Sequence, residues 1–393
     1  MCQHHTPVDE GGIVLEKIEG RALIPYSALD ELFLLPYHAV SIWRHRTYRF
    51  LKGWLTRWIE KAFNSRLGRL RSLSLFLSVL LWRLVHFVLR GLELEVIHME
   101  GVERASGEKL SLVYVGDKSL YRQIVYRILK GDAVVRYTGR VPLWRLRNLK
   151  HSILGRVDLV LLELPKIVSH PIHEGTVIEN SGNVLMVMPL RGRGKWEDFQ
   201  RDLVKKQRLN IKRFNEAGLR LVKGDSQRDF DFYYDRMYLP MVKNRHGLYA
   251  EISPREAFRQ LVKKCELWFV EDPQGKRVAA MVWFDGGEVK HGLSFGVLDG
   301  DFRYEEQGAL ACIYYHEIRM AFEQGARLLD GTQAPPFEND GLYQHKHRWG
   351  FEPIEDPWNP NKLLIWVPNG SSVAMGWLER MRPIKSVPSA YDY

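Results

Sequence analysis

Residues 266–299 read ELWFVEDPQGKRVAAMVWFDGGEVKHGLSFGVLD and decide the fold of the C-terminal half of this chain. Three runs rich in Val, Phe, Trp and Ala are separated by two short turns, DPQG at 272–275 and DGG at 285–287. Such sequences favour tight turns, because Pro presets φ and Gly accepts a positive φ. The stretch therefore predicts an antiparallel meander of three strands.

The sequence on both sides of this meander alternates between helical and strand patterns. Upstream, a polar helical pattern over 195–218 is followed by the strand LRLVK and two further helices. Downstream come a helix over 306–325, a strand ending at Asp330, a loop and the strand NKLLIWV. Residues 92–194 contain short apolar runs bounded by Gly and Pro, with a helix among them. These patterns predict an α/β (α+β) protein with mixed sheets flanked by helices.

The surplus of positive charge lies in one segment. The net charge is +10, and residues 41–90 contain eleven basic residues and one acidic residue, so the rest of the chain is balanced. Four tryptophans interleave with these cations. This mixture is typical of an anionic membrane surface, of a site for a nucleic-acid backbone, and of a solvated helical face, and all three interpretations stay open. The arginines predicted to form this surface are Arg44, Arg46, Arg49, Arg57, Arg66, Arg69 and Arg71.

The apolar stretch 72–90 is too short to be read as a membrane span. Its longest uncharged run is 72–82, whereas a spanning helix needs about 20 mostly apolar residues. Arg83 would also lie near the centre of the bilayer, at a cost of about 2.5–3.5 kcal/mol. We expect this helix to lie flat in a lipid interface or to pack inside the protein.

The cysteines and the N-terminus indicate the compartment. Only three cysteines occur, and their spacing forms neither a CxxC pair nor a zinc site. The first 20 residues are polar and lack the apolar core of a signal peptide. We expect a cytoplasmic protein, peripheral on the inner face of the membrane through residues 41–90.

Four short motifs in the C-terminal half resemble a known family. They are Gly275-Lys-Arg-Val278-Ala279, Gln307-Gly308-Ala309, Asp330-Gly331, and Tyr343-Gln-His-Lys346-His-Arg348-Trp349-Gly350. In this order they resemble the GNAT-like acyltransferases of the Fem type and CelD type, which include the BioF-like acetyltransferase domain. The resemblance covers residues 195–367 and implies tandem GNAT-like mixed sheets.

Four parts of the chain follow from the resemblance and from the charge pattern. We expect residues 1–91 to form a basic, aromatic-rich helical N-terminal region, and 92–194 to form a degenerate first GNAT-like half. We expect residues 195–367 to form the GNAT-like acyltransferase domain, and 368–393 to form a C-terminal tail.

The resemblance implies transfer of an acyl or aminoacyl group to an amine-bearing acceptor. In this fold, splayed strands at the sheet centre expose backbone N–H groups to the donor. The implied catalytic residues are Asp330, Tyr343 and Lys346, with Gln307, Gly308, Ala309 and Arg348 on the donor side and His291 and Ser294 on the acceptor side. No metal is expected, because His345 and His347 have no third ligand nearby in the sequence. The substitution Lys346→Ala is expected to abolish transfer and to leave the fold intact.

The sequence does not decide which acyl donor the protein uses. Glu305 and Glu306 stand where the family's loop would hold a pyrophosphate, which disfavours ordinary acetyl-CoA use. An acyl-CoA, an acyl carrier protein thioester and an aminoacyl-tRNA are the donor substrates considered, and no bound cofactor is expected. Two alternatives remain: a non-catalytic module that binds a lipid, a polysaccharide or a protein, and an aminoacyl-tRNA-dependent transferase that also binds tRNA.

Overall fold

The computed structural model describes residues 80, 81, 84 and 93–388, except 117–120, 132, 147–155, 169–175, 181, 248–249, 251, 357–358 and 386. The predicted N-terminal surface, with Arg44, Arg46, Arg49, Arg57, Arg66, Arg69 and Arg71, lies outside the described residues. Of the apolar stretch 72–90, only three leucines are described, and all three are exposed. In the described ranges, no helix combines the length and hydropathy that crossing a bilayer requires.

Two mixed sheets carry the fold. The strands are β1 Glu93–Val102, β2 Lys109–Gly116, β3 Val134–Pro142, β4 Leu159–Pro165, β5 Thr176–Asn180, β6 Val184–Pro189, β7 Arg220–Lys223, β8 Glu266–Glu271, β9 Arg277–Gly286, β10 Val289–Val297, β11 Leu328–Ala334, β12 Glu352–Glu355 and β13 Asn361–Val367. The first sheet has the order β3-β1-β2-β4-β13-β5, and the second has the order β12-β6-β11-β10-β9-β8-β7. Each sheet contains one parallel pair, β2 with β4 and β10 with β11. The predicted α+β class with mixed sheets is confirmed.

Helices connect and cover the strands. They are α1 Tyr121–Ile128, α2 Trp196–Asp202, α3 Lys205–Glu216, α4 Phe230–Tyr233, α5 Leu239–His246, α6 Arg255–Val262, α7 Phe302–Glu306, α8 Ala309–Glu323, α9 Gly341–Arg348 and α10 Ser372–Met381. A π-helical segment, Tyr234–Tyr238, joins α4 to α5, whose second residue Pro240 has no N–H to continue the regular ladder.

The chain folds into two compact units that the predicted boundaries do not follow. One unit contains most of residues 93–182 together with 357–379, and the other contains 183–356 and 380–388 with the short segment 122–126. Strand β6 was expected in the first half but pairs with β11 and β12 of the second sheet. Strand β13 was expected in the second half but pairs with β4 and β5 of the first sheet. The predicted tail contains α10.

The second sheet is buried on both faces. Ala279, Met281 and Trp283 of β9 join the hydrophobic cluster that includes α8, while Ala280 and Val282 join the cluster formed with α4 and α6. All five are fully buried, and they alternate because successive residues of a strand face opposite sides. This explains why the meander reads as nearly continuous apolar runs.

The single helix predicted over 195–218 is wrong, because two helices occupy this range. Helix α2 ends and α3 begins around Leu203 and Val204, whose backbones are extended. Leu203 is buried in the core, and the Arg208 guanidinium donates to the carbonyls of Leu203 (2.7 Å) and Arg201 (3.2 Å). The break therefore places an apolar side chain in the core while a cation satisfies the carbonyls that the helix end leaves open.

Candidate active site

The central strands of the second sheet separate after three rungs. Strands β10 and β11 pair in parallel from Val289 with Leu328 to His291 with Asp330. Both strands continue beyond this rung, β10 to Val297 and β11 to Ala334. We call residues 291–297 and 330–334 the fork. Backbone groups that leave a ladder must find other partners, so the fork is a place where a ligand can bind main-chain N–H and C=O groups.

Irregularities in both strands produce the fork. The register of β10 against β9 shifts between Gly292 and Ser294, and both Leu293 and Ser294 contact the cluster around α4. Two consecutive residues on one face are the mark of a β-bulge. In β11 the register shifts after Asp330, and Thr332 has a φ of 65°. The Asp330 carboxylate accepts the Thr332 N–H at 2.7 Å, which fixes this turn away from the ladder.

The last parallel rung brings two predicted site residues together. The Nδ1 atom of His291 lies 2.9 Å from Oδ2 of Asp330, and their side chains are 25% and 19% exposed. Because a carboxylate only accepts, Nδ1 donates the hydrogen, and Nε2 is the nitrogen left free to take a proton. The centroid of the Phe284 ring lies 5.6 Å from the centroid of the His291 imidazole. This pairing of an oriented imidazole with a carboxylate is the arrangement of a general base.

Lys346 contacts the β11 side of the fork from a buried position on α9. Its side chain is almost completely buried, and its ammonium donates to the Thr332 carbonyl (3.3 Å), Thr332 Oγ1 (3.1 Å) and the Gln333 carbonyl (2.8 Å). Burial lowers the pKa of Lys346 to about 8, against the opposing effects of Asp330, Glu317 and Asp340. Because an ammonium has three N–H donors, all of them are used to hold the displaced part of β11. The geometry supports a positioning role for this lysine.

Glu317 is a site residue that the sequence prediction missed. It lies on α8 and is fully buried, and neither of its carboxyl oxygens has a hydrogen-bond partner among the described residues. A Cβ on Gly292 would lie 1.9 Å from Oε1, so the glycine makes room for this carboxyl at the fork. Burial raises the pKa of Glu317 to about 8. The sequence signal was its four-residue spacing from Ile313 and Ala321, which places an acid on the apolar face of α8.

The buried acid makes a prediction about pH. The pKa of Glu317 is raised in the folded protein, so its stabilising contribution is complete below the unfolded value near 4.5 and is lost as pH rises through about 8. Glu317→Gln has no such titration. We expect this variant to match the wild type near pH 5 and to be more stable near pH 9, by on the order of 2–4 kcal/mol. Urea unfolding at both pH values measures the difference.

Glu256→Gln, at a side chain that is 74% exposed, is the matched control and should show no such change. Equal pH dependence in wild type and Glu317→Gln would contradict a protonated Glu317.

The remaining predicted catalytic and acceptor-side residues lie in packed surroundings. The Tyr343 ring is buried and stacks on His347 with centroids 5.9 Å apart, and burial raises its pKa. Ser294 accepts a hydrogen bond from the buried Tyr233 hydroxyl at 2.9 Å. Arg348, which was predicted on the donor side, donates to Gln344 Oε1 at 2.7 Å on its own helix. None of these contacts joins them to the His291–Asp330 pair.

The predicted donor-binding residues are placed mainly by packing. Gln307 is exposed, but Ala309 is fully buried in the core. Gly308 has a φ of 95°, and a Cβ there would lie 3.1 Å from Cβ of Phe214 on α3. The glycine thus permits both the left-handed turn before α8 and the close approach of α3. Glu305 forms an ion pair with Arg245, so its charge is partly compensated.

Comparisons with known proteins identify similar structures but no family. No protein-family model matches the sequence, and no curated protein matches it. The chain is similar to FemX at 11% identity and a TM-score of 0.38, over 70% of this chain and 89% of that one. It is similar to L-PGS from Bacillus licheniformis at 12% identity and a TM-score of 0.32, over 73% and 88%. A GCN5-related N-acetyltransferase from Kribbella flavida has 16% identity and a TM-score of 0.26, over 66% and 82%. The proposed function therefore rests on the residues of the fork.

Proposed function

We propose that this protein transfers an acyl or aminoacyl group from a thioester or ester donor to an amine, with the reaction at the fork. The observation that carries the proposal is the 2.9 Å contact between His291 and Asp330 on the last rung before β10 and β11 separate. A general base thus lies next to strand backbone that has left the β10–β11 ladder. Acyl transfer needs these two elements, one to deprotonate the amine and one to stabilise the carbonyl oxygen.

In this mechanism four side chains in or next to the fork have separate roles. His291 takes a proton from the amine through Nε2 while Asp330 holds the ring and stabilises the imidazolium. The amine nitrogen bonds to the acyl carbon, and the bond from that carbon to the donor's sulfur or oxygen breaks. The proton then passes from His291 to the leaving sulfur or oxygen. Lys346, which contacts β11, and Glu317, which packs against Gly292 of β10, hold these two strands in their separated positions.

The packing at Gly308 favours a donor other than free CoA. Helix α3 lies against Gly308, and Glu305 lies three residues earlier. Neither feature suits a pyrophosphate site, which uses open backbone N–H groups and excludes acids. An acyl carrier protein thioester or an aminoacyl-tRNA is therefore the donor we favour. We place the reaction at the inner face of the cytoplasmic membrane because of the basic, aromatic-rich sequence over 41–90.

The test is product detection with a panel of donors. The protein is incubated with acetyl-CoA, a long-chain acyl-CoA, an acyl carrier protein thioester or charged tRNA, each with and without ¹⁵N-labelled amines. We expect one donor to lose its acyl group only when an amine is present, and mass spectrometry to show a labelled amide. A donor that binds and is never consumed would instead support the non-catalytic binding module.

A further inference from the structure

An exposed leucine lies at the centre of a ring of cations on α3. Leu209 is 47% exposed, and Val204 directly before the helix is 46% exposed. The positions three and four residues away from Leu209 in both directions are basic and exposed: Lys205, Lys206, Lys212 and Arg213. Residues at these spacings are neighbours on a helix surface. The opposite side of α3 buries Gln207 and Phe214, so the ring faces away from the core.

Most of this charge is uncompensated. The one acid in α3 is Glu216, whose Oε1 lies 3.6 Å from Nζ of Lys212. In the part of the chain that the structure describes, Lys205, Lys206 and Arg213 have no ion-pair partner within 4.0 Å. The sequence pattern alone is equally compatible with a solvated polar helix. A solvated polar face does not require an exposed apolar side chain among its cations, and Leu209 is such a side chain.

We propose that this surface, which we call the α3 basic face (Lys205, Lys206, Leu209, Lys212 and Arg213), docks on an anionic lipid bilayer. The cations would contact lipid phosphates while Leu209 enters the headgroup region. Basic residues around a short apolar projection fit such an interface, because anionic headgroups attract the former and acyl chains accept the latter.

A nucleic acid fits this face less well. Its backbone would attract the cations, but single-stranded bases bind chiefly by stacking on aromatic side chains, and the α3 basic face contains none. The exposed leucine would gain nothing from a phosphate backbone. The inference is independent of the fork and of the proposed reaction, since it rests only on α3.

Vesicle binding by the full chain tests the proposal. Binding is measured by flotation with vesicles of phosphatidylcholine alone and of equal parts phosphatidylcholine and phosphatidylglycerol. We expect the wild type to prefer the anionic vesicles, the double variant Lys205→Glu/Lys206→Glu to bind at least tenfold more weakly, and Leu209→Gln to bind several-fold more weakly. Lys263→Glu/Lys264→Glu makes the same charge change at exposed positions outside the face and should stay within twofold of wild type.

Two results would overturn the proposal. One is equal vesicle binding by the wild type and by both α3 variants, which would assign any membrane affinity to other parts of the chain. The other is loss of binding to a mixed-sequence RNA in the Lys205→Glu/Lys206→Glu variant with vesicle binding unchanged, which would make the face a nucleic-acid site. Circular dichroism spectra of all variants confirm folding, and we expect them to be unchanged because the substituted side chains are exposed.

Discussion

Lys346→Ala is expected to destabilise the protein by about 3–5 kcal/mol, because it truncates a buried side chain, which costs about 2–5 kcal/mol, and removes the donor of three hydrogen bonds. The ammonium satisfies two carbonyl groups and one hydroxyl where β11 leaves its ladder, and it also offsets the negative potential of Asp330. Its loss removes the donor from these part-buried acceptors, and a buried acceptor left unsatisfied costs about 1–3 kcal/mol. Urea unfolding followed by tryptophan fluorescence measures the change.

Two variants separate the charge from the packing in this prediction. Lys346→Met keeps the apolar stem but has no donor, so we expect it to recover only the packing part of the loss. Lys263→Ala removes an exposed lysine and should change the free energy of unfolding by less than ~0.5 kcal/mol. A loss below ~1 kcal/mol for Lys346→Ala would show that the lysine does not hold the fork. The expectation from sequence that this substitution leaves the fold intact is revised for the same reason.

The local elements could be predicted from sequence because their signals are local. The turns DPQG and DGG predicted the meander, and the structure confirms it as β8, β9 and β10. The short strands β5 and β12 were missed, because four or five residues give too little periodicity to recognise. The assignment of β6 and β13 to sheets failed for a different reason. Which strands pair is decided by tertiary contacts, and these leave no mark in a short window of sequence.

In the candidate site, too, single residues could be predicted from the sequence, whereas their contacts depend on the fold. Asp330 and His291 were both singled out as residues, but 39 positions separate them, and only the parallel pairing of β10 with β11 makes them neighbours. Glu317 could not be predicted because its burial depends on how α8 packs against the second sheet, which a helical pattern does not show. The motif around Lys346 was found, but its burial, and therefore its supporting role, depends on how α9 packs against β11.

The second large effect is expected at the His291–Asp330 pair. General-base catalysis contributes about 10²–10⁴-fold to a rate, so His291→Gln should slow amide formation by that factor. Asp330→Asn should lose a large part of it while keeping an oxygen that can accept the Thr332 N–H. Donor binding should be unchanged in both variants, because the loss falls on the proton transfer. His347→Gln, an exposed histidine on α9, is the matched control and should stay within a few-fold of wild type.

The most direct test of this account is the single-turnover rate of amide formation, measured with saturating donor and an amine for the wild type and for His291→Gln. A fall of ~100-fold or more with unchanged donor affinity is the predicted result. A rate within a few-fold of wild type would contradict it and would show that the fork does not use His291 as its base.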